Sequence, residues 1–180
     1  MLLCEKINEY NIGIYECIVK SFIGKINNID HKNNHGETAL MLAKNSRLIQ
    51  ILLEDFGADK NVVDKDGQTA ITRAIDNDNF DIFCVLLYYS KKTQNVEHLD
   101  LLPFDEFKEK IEIPTNLNLQ SKKYGATILM FLAFPCVSCA HKDEVFDLIL
   151  NNDDVDITIE DIKKRNILMY ASSLIEETES

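Results

Sequence analysis

Apolar positions along this 180-residue chain fall in short helical runs divided by polar turns, and the alternation recurs. In "DKDGQTAITRAIDNDNFDIFCVLL" (64–87) a turn-forming start leads into Thr69 and Ala74, and a second run sets Phe80, Phe83, Cys84 and Leu87 at helical spacing. Leu48, Ile51 and Leu52 repeat that stripe upstream, and Val145, Leu148 and Ile149 repeat it downstream. The blocks before the stripes are "GETALMLA" from Gly36, "GQTAITRA" from Gly67, "GATILMFLA" from Gly125 and "KRNILMYA" from Lys164. Gly tolerates positive φ at a tight turn, and Thr38, Thr69, Thr127 and Asn166 carry oxygens able to cap a helix start. Each block followed by such a stripe therefore predicts a turn plus a helix pair. Such a unit cannot bury both faces alone, so the units must stack into an all-α solenoid.

The unit resembles the ankyrin-repeat family, whose repeat of about 33 residues is a β-turn plus two antiparallel helices. The resemblance is closest at Gly67, Thr69, Ala74, the Asp78-Asn79 turn and Leu86-Leu87, and "GADKNVVDKDG" (57–67) is similar to the connector between repeats. Val19, Phe22 and Ile23 stand where a preceding second helix belongs, so the resemblance covers 1–89 and 124–173. Departures exist. The family's Pro after Thr is Ala39, Ala70, Ile128 or Ile167, and its following His is Met41, Thr72, Met130 or Met169. One domain over 1–180 is expected: a degenerate capping repeat (1–32), repeats at 33–63 and 64–89, an insertion (90–122), a repeat at 123–160, and a partial repeat or cap (161–180).

The insertion follows from spacing, because Leu87 to Gly125 spans 38 residues where the other intervals need about 13, leaving roughly 25 extra. Within it, "PFDEFKEKIEIP" (103–114) has Phe104, Phe107 and Ile111 on one stripe, which predicts a short amphipathic helix. Two roles fit: a partner-binding element, or a helix that covers the edge of the second full repeat, and burial is the commoner use of such a stripe. Residues 90–102 and 114–122 are polar and lie outside the repeat frame, so proteases are expected to cut there first.

Composition narrows the function. A net charge of -11 with pI near 4.8 opposes nucleic-acid phosphates and anionic membranes and suits a protein partner with a basic surface. The longest apolar run, "ATILMFLAFPCVSCA", is 15 residues interrupted by Pro135, too short for a membrane span. Glu5 and Lys6 break up the opening run, so no secretory signal is read. Five cysteines without framework spacing read as reduced thiols, which places the protein in cytoplasm or nucleus, of a host cell if the source is a virus or intracellular parasite. Cys136, Cys139 and His141 suggest zinc, but a structural site needs four ligands, and neither His98 nor Cys84 stands at a usable spacing. Ala140 breaks the haem-attachment pattern. No nucleophile elbow, phosphate loop or dinucleotide fingerprint occurs, so no catalytic residue, metal or cofactor is expected.

What the resemblance implies is a non-catalytic interaction module that binds a protein through turn tips and the concave helix face. Carried over by position, the contact residues are Asn34, His35 and Glu37, then Lys65, Asp66 and Gln68, then Asp76 and Asn77, and finally Lys123 and Tyr124. The alternative is a regulatory or substrate-holding segment of a larger multidomain enzyme or ubiquitin-ligase adaptor. The last block supplies one helix only, which fits a terminal cap or, preferably, a piece of a longer chain.

Overall fold

The structure, a computed structural model, describes residues 17–22, 24–88, 103–110, 112–134 and 141–177. After a helical stretch at 17–20, the helices are α1 (Ala39–Leu42), α2 (Ser46–Glu54), α3 (Ala70–Asp76), α4 (Phe80–Tyr88), α5 (Phe104–Lys110), α6 (Ile128–Leu132), α7 (Lys142–Leu150) and α8 (Ile167–Glu177). No strand occurs among the described residues. Helices α1, α3 and α6 each pack on the helix that follows them in their unit, α2, α4 and α7. The first helices also stack on one another, α1 on α3, α3 on α6 and α6 on α8, while α2 stacks on α4. The result is a two-layer helical solenoid whose core runs from Leu40 and Leu48 through Ile75, Phe83 and Leu87 to Leu132 and Ile149.

The polar residues singled out at each helix start do what their chemistry allows. Thr38 Oγ1 accepts from the Met41 N–H at 3.4 Å, Thr69 Oγ1 from Thr72 at 3.4 Å, Thr127 Oγ1 from Met130 at 3.3 Å, and Asn166 Oδ1 from Met169 at 3.2 Å. Each bond satisfies a backbone donor that the first helical turn leaves open. Second helices begin on Asn45 and Asn79 in the same way. His141 precedes α7 in a left-handed conformation (φ 50°) and makes no side-chain cap bond; its ring lies 5.7 Å from that of Phe104.

The connectors add a ladder. Asn28, Asp59, Asn116 and Asp156 each accept the N–H two residues on, closing an Asx turn in every connector. Between connectors, Asp30 Oδ1 accepts from the Asp59 N–H (3.1 Å), Asn61 Oδ1 from Thr115 (3.2 Å) and Asn118 Oδ1 from Asp156 (2.8 Å). The middle rung corrects the expectation for 114–122. That segment is the connector of the next unit: Pro114, Leu117 and Ser121 are buried, and its backbone is tied to the preceding repeat. Just before it, the buried Lys60 ammonium donates to the Glu112 carbonyl, and burial, only partly opposed by Glu112 and Asp59, brings its pKa down to about 8.

Helix α5 forms over 104–110, and Phe104 is partly buried against the core. Ile111 lies outside the described residues, as do 90–102, Cys136 and Cys139. Cys84 is disulfide-bonded, which corrects the reading of all five cysteines as reduced thiols and removes that support for the compartment expected from them. Cys17 is a free, exposed thiol. Among the described residues no group of three metal-ligating side chains occurs, and no helix is long and apolar enough to cross a membrane.

Candidate protein-interaction face

Four fingers project along the edge of the first-helix layer, at 33–37, 64–68, 121–126 and 161–165. Three of them close on one bond, from the N–H of Asn33, Asp64 or Asp161 to the carbonyl of Glu37, Gln68 or Arg165, each 2.9 Å. The third is one residue longer, closing from Ser121 to Ala126 at 2.9 Å. Inside the fingers, Asn33 Oδ1 takes the N–H groups of His35 and Glu37, Asp64 Oδ1 those of Asp66 and Gln68, and Asp161 Oδ1 those of Lys163 and Arg165.

The two buried carboxylates are clamped differently. Arg73, on α3, bonds Asp64 Oδ2 at 2.7 Å and also Glu37 of the first finger at 2.7 Å, so it ties two fingers together. Burial works against ionisation of Asp64, but the guanidinium and two backbone N–H groups outweigh it and hold the carboxyl below its ordinary range. Glu37 is lowered too, chiefly by the Asn33 amide at 2.6 Å. Arg165 is a finger residue itself, bonding Asp161 Oδ2 at 2.7 Å and lying over the Tyr170 ring, whose hydroxyl donates to the same oxygen. Burial again opposes ionisation, yet the Arg165 N–H and guanidinium, Tyr170 and the Lys163 N–H bring Asp161 down to about 2.

Adjacent fingers meet in two ways. The Lys65 N–H donates to the His35 carbonyl (3.3 Å), and the Ile162 N–H to the Tyr124 carbonyl (3.1 Å). Both contacts need glycine, because a Cβ at Gly36 would stand 2.7 Å from Lys65 N and one at Gly125 would stand 3.0 Å from Ile162 N. The second and third fingers join through side chains instead. Asp76 accepts the N–H groups of Lys122 and Lys123 (2.9 and 2.8 Å), and the buried Gln68 amide accepts from Lys122 and donates to the Gln120 carbonyl. Salt bridges Lys122–Asp66 and Lys123–Asp78 close over this junction, and the Tyr124 hydroxyl donates to Asp78 at 2.7 Å.

This geometry sorts the residues that position alone singles out. Asn34, His35, Lys65, Asp66, Asn77 and Lys123 are exposed at the tips and the adjoining helix end, and Tyr124 is half-buried beside them. Glu37, Gln68 and Asp76 direct their polar atoms into the array and hold it together. Position alone missed the groove between the third and fourth fingers. It encloses about 410 Å³ and is lined by Tyr124, Phe131, Phe134, Lys163, Arg165 and Tyr170 among others. The basic triplet 163–165 was the available signal.

A protein-family comparison agrees with this architecture. A family model described as ankyrin repeats, in three copies, matches residues 9–100. Among solved structures, a chain in the complex of a predatory endopeptidase from Bdellovibrio bacteriovorus with an immunity protein is similar at 15% identity and a TM-score of 0.46, with 89% of this chain and 87% of that chain covered. No curated protein matches the chain. With more than half its length matched, and with turn, helix pair and connector repeating in space as they do in sequence, the chain belongs to the ankyrin-repeat family.

Proposed function

We propose that the protein is a non-catalytic interaction module that binds a protein partner across its finger tips and the exposed side of its first helices. One observation carries the reading: the first two fingers are fixed from within by Asn33 and Asp64, the Lys123 backbone is held by Asp76 and the Asn77 amide is bonded back onto its helix, so the exposed side chains of Asn34, His35, Lys65, Asp66, Asn77 and Lys123 are presented on a fixed edge. Preorganised contact residues lose little conformational freedom on binding. On the second-helix layer the acidic residues Asp143, Glu144 and Asp147 are exposed. Together with the net charge of -11, they favour a partner whose overall surface is basic, through long-range attraction.

A photo-crosslinking residue placed at position 34 or 65, compared with one at exposed position 54 on α2, tests the reading in the native cell. Adducts to a common protein at 34 and 65 and not at 54 support it. Equal labelling from all three positions refutes it.

A further inference from the structure

We propose that the groove between the third and fourth fingers is a subsite for an extended peptide segment in which a large apolar side chain is followed by an acidic one; this rests on the interaction reading above. The groove floor is aromatic. Phe131 and Phe134 meet edge-on at 6.0 Å, and Phe134 meets Tyr170 edge-on at 5.3 Å; Phe131 and Tyr170 are buried, and the half-buried Phe134 and Tyr124 supply the ring surface along a groove of about 410 Å³. That space suits one large apolar side chain, and aromatic walls favour a planar or branched one.

The rim has the opposite charge to the chain as a whole. Lys123, Lys163 and Arg165 line it, together with Asp78 and Asp161. Asp161 is buried and already bound by Arg165 and Tyr170, and Asp78 is already held by Lys123 and Tyr124. Lys163 is exposed and has no ionic partner among the described residues, and Arg165 turns only Nε and Nη2 to Asp161, with its side chain 41% exposed. The cations therefore exceed the uncommitted carboxylates at the rim. Beyond a Debye length of about 8 Å the acidic bulk of the molecule is screened, so these nearby cations decide what docks in the groove. A carboxylate beside the apolar anchor meets Lys163 and the free end of the Arg165 guanidinium, a geometry that charge-assisted hydrogen bonding rewards.

Selection of a random dodecamer phage library on the full chain tests this, with affinities of enriched peptides then measured by fluorescence polarisation on the wild type, Lys163→Glu, Lys65→Glu and Lys25→Glu, and thermal melts checking each fold. The expected result is enrichment of Phe, Tyr, Leu or Ile followed within two positions by Asp or Glu, with binding at least about 10-fold weaker to Lys163→Glu and unchanged for Lys25→Glu, a change of the same charge at an exposed position outside the proposed face. Enrichment of basic peptides, enrichment of none, or tighter binding of an oligo-dT octamer than of any peptide overturns the proposal. Peptides lost on Lys65→Glu but indifferent to Lys163→Glu overturn the groove while leaving the interaction reading intact, whereas crosslinking that fails at positions 34 and 65 counts against the interaction reading itself.

Discussion

Fingers one and two, and fingers three and four, join through main-chain hydrogen bonds over a glycine, whereas fingers two and three join through the side chains of Asp76, Gln68, Lys122 and Lys123. The difference coincides with the insertion and with the one longer finger, Ser121 to Ala126. At this junction the Lys122 and Lys123 N–H groups turn to the Asp76 carboxylate and the Gln68 side chain. Backbone contacts thus demand glycine, while side-chain contacts demand particular functional groups.

The largest test of that contrast is at the glycines. Gly36, Gly67 and Gly125 all have positive φ, but only Gly36 and Gly125 face a neighbouring backbone. Replacing either by Ala combines left-handed strain with a steric clash and should cost about 2–4 kcal/mol, against about 1 kcal/mol for Gly67→Ala, where nothing lies within reach of the new methyl. Chemical denaturation of the three variants measures it, and equal losses would dissolve the distinction between junctions. Next in size, Asp76→Ala removes the acceptor of two N–H groups and should cost about 1–2 kcal/mol, because the freed donors are exposed and recover water.

Acid sharpens the comparison from within the fingers. Asp161 has its folded pKa lowered to about 2 from an ordinary 3.8, so its contribution is fully present above pH 3.8 and is lost as pH falls through 2. Stability measured by urea titration should fall between pH 4 and pH 2, and Asp161→Asn should flatten that slope. The smallest effects belong to the tips. Asn34→Ala, Lys65→Ala and Asp66→Ala should each change stability by less than about 0.5 kcal/mol, whereas Gln68→Ala should cost about 1–2 kcal/mol, although all four were indistinguishable as turn positions.

That last pair shows where the sequence stops being readable. Helix caps, finger glycines and second-helix stripes were legible because each depends on a neighbour within a few residues: Thr69 needs only Thr72, and Phe83 only its own helix face. The burial of Gln68 was not legible, because its partners are Gln120 and Lys122, across the insertion. Asn61 and Asn118 could be read as turn formers, yet the bonds they make to the next connector join residues 54 and 38 positions apart. The thiol reading failed at Cys84 for the same reason, since a cysteine pairing is a fact of three-dimensional proximity. The groove's cations stood in plain view at 163–165, but only folding sets them opposite Tyr124 and Phe134.

The connector ladder has one more consequence. Its rungs from Asp30, Asn61 and Asn118 are each a single amide-to-oxygen bond between neighbouring repeats, and the middle rung joins residues 54 positions apart, against 29 and 38 for the other two. Periodicity in this fold is thus kept by docking, and the length of chain between docking points is a free parameter. Sequence can accordingly be added between two docking points with the stacked layers on either side still in register.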